Sequence, residues 1–326
     1  MLSRERVSAC IKHQPHDRMP IYGWVAWNLV EPINAKFGSA AAFEDHYEFD
    51  MAHLFGGPGP YDWQALEQAR KALGRNLTPV DYLEMPLSEV NETAAYSNLR
   101  EQIQHHQTER GRFVYVQSPG IFECLNGVFG IEDHLAYLLE YEDELQQIYA
   151  RQAQWNHDFA MNCLDLGIDM IHVSDDWGAQ DGPLFSPALW WRMIYPHHQT
   201  TAAAVRGRGA FLSLHCDGNI LPLLDGVIAL GYNVVHPWQE SAGMSLDLFQ
   251  AKYIDNFTVM GGLDIQTTLG FGNYERLAAD IDRVVRQFAG AGLLFCTSHF
   301  VQEHCSIEEL TFAYDRVYAL VRELAK

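Results

Sequence analysis

The chain has 326 residues, 48% hydrophobic and 20% charged, the balance of a soluble globular protein with enough chain for a large core. Forty-two acidic against 22 basic residues give a formal charge of −20, which repels phosphate backbones and argues against nucleic-acid binding. No apolar run approaches the roughly eighteen residues of a membrane span, and the opening Met1-Leu-Ser-Arg-Glu-Arg-Val7 lacks the apolar core of a secretion signal, so a cytoplasmic location is expected.

In chain order, residues 19–24 read as a first strand. Residues 31–112 are less regular, with Phe55-Gly-Gly-Pro-Gly-Pro60 a loop and 102–112 a polar stretch carrying His105-His106. Strands follow at 113–117 and 169–174, separated by a helix over 142–166. A helix over 187–205 carries His197-His198, and both histidine pairs read as surface pairs. Strands at 210–215, 232–236, 257–261 and 293–298 then alternate with helices near 221–230, 245–252, 274–289 and 306–324. Gly167, Gly231 and Gly292 fall just before strands, where a helix end wants a left-handed residue. Parallel strands joined by helical crossovers make a closed (β/α)8 TIM barrel the economical fold, as one domain over 1–326. The six cysteines have no C-x-x-C pair and are expected to be reduced and mostly buried.

In such a barrel the chemistry collects at the carboxyl ends of the strands. Here those ends carry Asp175-Asp176-Trp177-Gly178-Ala-Gln180, then His215-Cys-Asp217-Gly218-Asn219, His236-Pro-Trp-Gln239-Glu240, Gly261-Gly-Leu-Asp264, and Cys296-Thr-Ser-His299. His215 and Asp217, two residues apart, can face one side, and His299 would approach from the last strand; two imidazoles and a carboxylate with an open position form a zinc-type divalent-metal site. Alternatively Asp217 caps a following helix and His215 is a wall residue. Cys216 is expected to pack in the core, with Cys296 a reserve ligand. Adjacent strand residues face opposite ways, so Asp176 is expected in the site as an acid/base and Asp175 behind it as a cap or ion-pair partner. Glu123 and Asp264 are further candidate catalytic carboxylates; the alternatives are a solvated loop acid and a turn residue. Trp24, Trp27, Trp177 and Trp238 would wall an organic ligand, with Gln180 and Gln239 as polar contacts; Trp24, Trp177, Gln180 and Gln239 are the substrate-binding candidates.

These residues resemble the uroporphyrinogen decarboxylase superfamily, which includes decarboxylases of tetrapyrrole synthesis and cobalamin-linked methyltransferases. The resemblance rests on Arg4-Glu-Arg6 through His13, Asp17-Arg18-Met-Pro20, on Gly167-Ile-Asp169 through Gln180, on His215 to Ile220, on Gly231 to Gln239, and on Gly261-Gly-Leu-Asp264. It implies the same barrel with a deep cleft. The family's decarboxylases carry an arginine-rich opening, whereas Pro20-Ile-Tyr-Gly-Trp24-Val-Ala-Trp27 has no arginine to anchor substrate carboxylates. The methyltransferase branch holds zinc through His-x-Cys and a distant Cys, positions matched here by His215, Asp217 and His299. The expected function is therefore metal-dependent methyl transfer between a corrinoid-type donor, free or carried by a corrinoid protein, and a thiol acceptor. The alternatives are decarboxylation of a carboxylated tetrapyrrole or other organic acid, with Asp176 stabilising a developing cation, and non-catalytic corrinoid or tetrapyrrole binding.

Overall fold

The computed structural model describes residues 1–324, apart from the Trp27 side chain. Among them seven strands are neighbours along a sheet in chain order: β1 (Met51–Leu54), β2 (Phe113–Pro119), β3 (Met170–Ser174), β4 (Phe211–His215), β5 (Val234–His236), β6 (Thr258–Leu263) and β7 (Leu293–Thr297). The registers of β2 with β3, β3 with β4, β5 with β6 and β6 with β7 are all parallel. Helices fill the crossovers, as parallel pairing demands, and strands such as β3 and β7 are buried at every residue.

This is an α/β fold of the expected rhythm, but the expected closed eight-stranded barrel is not formed. The segment expected as a first strand, 19–24, makes a single parallel bridge, Ile21 to Phe295. Pro20 has no N–H to donate, and the Ile21 N–H goes to the Asp50 carboxylate at 2.8 Å rather than to a neighbouring strand. Conversely β1 lies in the stretch that reads as irregular: Met-Ala-His-Leu is only four residues long, with no β-branched residue to mark it.

The chain forms two compact units. In the first (Met1–Ala52, His106–Val114 and Asn233–Lys326), Asp50 is fully buried and gathers Arg6 Nη1 at 2.6 Å, Arg18 Nη1 at 2.6 Å and the Ser3 hydroxyl at 2.8 Å, besides the Ile21 N–H. Arg6 also grips Asp17 through Nε and Nη2, which holds that carboxyl well below the usual range. Arg6, Asp17 and Arg18 of the opening stretch are thus spent on structure.

In the second (His53–His105 and Tyr115–Tyr232), the 24-residue helix Glu142–Asp165 lies against Tyr195–Gly207. Its buried Asn156 donates to the carbonyls of Pro119 and Gly120 at 2.8 and 2.9 Å, and Gln152 donates to Asn156 and accepts from the Tyr61 hydroxyl. These bonds satisfy the carbonyls where β2 runs out of partners.

Asp50→Asn would leave two nearly buried guanidinium groups short of their counter-charge, so the full chain is expected to lose about 3–5 kcal/mol of unfolding free energy in a denaturant titration; a loss below ~1 kcal/mol would show that the network contributes no more than a surface pair.

Candidate active site

In the second unit the strand ends carry a period-two polar stripe within apolar strands. His172 and Ser174 alternate on β3, Ser213 and His215 on β4, and His172 sits in register with Ser213, its Nδ1 2.8 Å from the hydroxyl. The His172 and His215 rings are 5.8 Å apart, His53 of β1 stacks on Tyr115 and meets His172 edge-on, and each of His172 and His215 offers a ring nitrogen within 4.8 Å of the other. Burial, then the neighbouring His215, pushes His53 down to about 3, so its ring is neutral at physiological pH. His53 and His172 were hidden in the sequence because each stands inside a short run that reads as core. Polar residues spaced two apart are the signal that exposes them.

Past β3 the two aspartates part company. Asp175 is fully buried, and its carboxylate accepts the N–H groups of Ile121, Phe122 and Glu123 at 2.9, 2.9 and 2.7 Å together with His198 Nε2 at 2.9 Å. A Cβ on Gly120 would overlap the Asp175 side chain, so only glycine lets the β2 end approach this closely. Asp176 faces the other way and accepts the Asp217 N–H at 2.7 Å. Glu123, first residue of the helix Glu123–Phe129, accepts the Ser174 hydroxyl at 2.9 Å. Glu123, Asp176 and Asp217 thus form a carboxyl cluster at three successive strand ends. Burial, reinforced by Asp176 and Asp175, drives Glu123 upward; burial does the same to Asp176; burial and then Asp176 push Asp217 up to about 7. Asp217 Oδ1 is buried with no hydrogen-bond partner among the described residues. The loops are locked by a bridge between Ala179 and Asn219, with Gly178 and Gly218 packed too tightly for any side chain.

Other expected residues of this unit lie elsewhere. Trp177, expected as a ligand wall, is fully buried against Trp190 and His198, and its backbone N–H donates to Cys216 Sγ at 3.1 Å. Cys216 is buried in the core. Gln180 is exposed on the loop. His198, read as a surface residue, is 5% exposed; with Thr201, Ala202 and Val205 it forms the buried stripe of its helix, a spacing visible in the sequence. His197 beside it is half-buried and bonds Gln146.

In the first unit Trp24 is buried with its ring 4.4 Å from His236, 6.0 Å from His299 and 4.6 Å from Phe300. Its N–H donates to the Thr297 hydroxyl, and His236 Nε2 meets the Thr297 carbonyl at 3.1 Å. Burial lowers the pKa of His299 and so favours its neutral ring. Gln239 is buried just after the cis His236–Pro237 bond, and Trp238 packs on Phe249 and Phe257. Cys296 is fully buried, and burial pushes its thiol up to about 12. Asp264 holds its own turn, accepting from the N–H groups of Gln266 and Thr267 at 2.6 and 3.2 Å. The side chain of Trp27 lies outside the described residues. No described helix is long and apolar enough to cross a membrane.

A model of the uroporphyrinogen decarboxylase (URO-D) family matches residues 121–320. Among solved structures, a methyltransferase from Methanosarcina mazei superposes with a TM-score of 0.71 at 15% identity, covering 100% of both chains. A B12-independent methionine synthase from Shewanella sp. W3-18-1, in complex with selenomethionine, gives 0.48 at 12% identity over 73% of this chain and 68% of that one. At such identities the likeness is one of fold. No curated protein matches the sequence.

The Asp217 carboxyl gives a pH signature. Between the ordinary 3.8 and about 7 the native state keeps a proton that the unfolded chain releases, so stability falls as pH rises through that window. Relative to Asp217→Asn, the metal-free wild type is expected to lose up to about 1.4 kcal/mol per pH unit there, read by denaturant titration of both proteins; a gap that stays constant with pH would mean an ordinary, unburied aspartate.

Proposed function

We propose that this chain, which belongs to the uroporphyrinogen decarboxylase family, catalyses metal-dependent methyl transfer from a corrinoid-type donor to a thiol or similar acceptor. The observation that carries this reading is the end of β4. His215 and Asp217 each offer a ligand atom within 4.8 Å of the other, and the partnerless Asp217 Oδ1 is a buried acceptor that a cation would satisfy. Imidazole and carboxylate suit a zinc-type divalent ion. A neutral imidazole is the form that binds metal, and burial favours that form for His299.

Bound there, the ion would lower the pKa of an acceptor thiol and present it as thiolate. The remaining work falls to the chain's own groups. The thiol proton has to leave before sulfur attacks the methyl carbon, a step that breaks the donor's bond to the methyl group and leaves its electron pair on the donor, and Glu123 and Asp176, whose burial raises their proton affinity, would be the bases that take the proton. The Ser174 hydroxyl orients Glu123, and Asp176 holds the backbone of Asp217. Gln180 would meet the organic substrate from its exposed loop; Trp24 and Gln239 are proposed as substrate contacts on their residue types alone. Asp264 serves through the turn it holds and Trp177 as packing behind Cys216. A corrinoid protein is the partner this reading calls for.

One observation favours a second reading. A carboxyl cluster that retains protons near neutral pH is also a proton donor, and decarboxylation of an organic acid needs one: when carbon dioxide leaves, the electron pair left on carbon must take up a proton, which Glu123 would supply.

Protein purified without an affinity tag is expected to carry about one divalent metal per chain by elemental analysis, and His215→Ala to lose both the metal and methyl transfer. Undiminished activity in a metal-free preparation would refute the mechanism. Carbon dioxide release from a candidate acid by that preparation would establish the second reading, and a corrin or porphyrin retained without turnover would make the protein a carrier.

A further inference from the structure

His198 stands outside the cluster of proposed ligands and bases, yet it is built into the support of that cluster. Asp175 joins four elements of its unit. Its side chain takes the three consecutive N–H groups that open the Glu123 helix, its own N–H donates to the His215 carbonyl at 3.0 Å, and the fourth donor to its carboxylate is His198 Nε2, reaching in from the helix Tyr195–Gly207. A carboxylate can only accept, so Nε2 must carry the hydrogen. That leaves Nδ1 as an acceptor, and the fully buried Tyr232 hydroxyl lies 3.3 Å from it. The ring is further confined by the Trp177 indole, 5.4 Å away edge to face. Tyr232, His198 and Asp175 therefore form a directed chain of donors that ends on the backbone presenting Glu123 and on the strand end presenting His215.

We propose that His198 is a positioning residue for the proposed active site: its Nε2–H holds Asp175 in the one orientation that fixes the Glu123 loop and the end of β4, and Tyr232 holds His198 in the required tautomer. The zinc part of the test rests on the metal reading above; the backbone part does not. Removing the imidazole donor leaves Asp175 one partner short inside the protein, and the carboxylate then has no counterweight on the Oδ2 side to keep it on the Ile121 N–H. The loop and the strand end loosen together. Partners bonded directly to a metal ligand typically change metal affinity by roughly 10–100-fold, and His198, one bond further out behind Asp175, is expected at the lower end of that range.

The test compares the wild type, His198→Leu, His198→Gln and Tyr232→Phe as full chains, at a temperature where circular dichroism shows each folded. Zinc affinity of the metal-free proteins is measured by titration calorimetry, and amide hydrogen exchange is followed at residues 121–123. His198→Leu is expected to weaken zinc at least about tenfold and to speed exchange at 121–123 well beyond that at Val173 and Leu214. His198→Gln should restore both, because its amide nitrogen reaches where the ring Nε2 stands, and Tyr232→Phe should fall between them. A merely structural residue would lower the melting temperature and accelerate all these amides alike, and that outcome overturns the proposal. So does equal impairment by Leu and Gln, or unchanged exchange at 121–123 in a folded His198→Leu. Where the wild type itself takes up no zinc, the metal reading fails and the exchange comparison alone decides. Where His198→Leu does not fold, Tyr232→Phe is decisive, and wild-type exchange in that variant refutes the role.

Discussion

A buried carboxylate that must be fully satisfied is the constraint on which the β2, β3 and β4 ends of the second unit depend. Asp175 has no exposure, and desolvating it is tolerable only because four donors converge on its two oxygens. Each donor comes with a demand of its own. The three N–H groups require the chain to turn sharply at Gly120 and begin a helix at Glu123; the imidazole requires the helix Tyr195–Gly207 to present His198 inward. Satisfying one aspartate therefore dictates the course of the loop that carries Glu123, and the pleat of β3 sends the adjacent Asp176 to the opposite side, onto Asp217. The structural and the chemical aspartate are neighbours in sequence because they are back to back in space.

That arrangement puts Glu123, Asp176 and Asp217 close together in a chain already carrying a formal charge of −20. Burial penalises the ionised form of each, with neighbouring aspartates adding to it, and all three shift toward their protonated forms. Such a cluster is metastable in its charge: it either keeps protons or takes a cation. Both outcomes are chemically useful, the first as an acid and the second as a metal site whose bases become free when the ion arrives. His53, which burial keeps neutral, meets His172 edge-on, and the His172 ring lies 5.8 Å from that of His215; a ring nitrogen that stays neutral is a ligand and an imidazolium is not.

Much of this was legible in the amino-acid order, and the failures have physical causes. The strands from β3 onward announce themselves because parallel strands buried on both faces are unbroken apolar runs, and the residues where those runs stop, Asp175, Asp176, His215, Asp217 and His299, are polar enough to mark the ends. β1 could not be seen, being four residues with no β-branched side chain. The expected first strand was a reasonable reading of an apolar run, but pairing is decided by where N–H groups go, and Asp50, 29 residues further on, takes the one at Ile21. His198 and Trp177 fooled composition in opposite directions. A histidine pair looks solvated until its helical phase with Thr201, Ala202 and Val205 is counted, and a tryptophan beside two acids looks like a binding wall until its indole is found under Trp190.

The placement of the arginines bears on which chemistry the family's scaffold is put to here. A substrate with many carboxylates must be met by fixed cations that are not already neutralised. Near the start of the chain, Arg6 is committed to Asp17 and Asp50 and Arg18 to Asp50, on nearly buried, short contacts. Releasing either would strand Asp50 without its counter-charge, so neither can be lent to a substrate without loosening the segment that positions Trp24. The rings beside Trp24 are those of His236, His299 and Phe300, and burial favours the neutral form of His299. A wall of that kind favours a flat or weakly charged organic group over a polyanion. The proposal of metal-assisted transfer, over the stripping of carboxylates from a highly charged ring, draws on that aromatic surrounding.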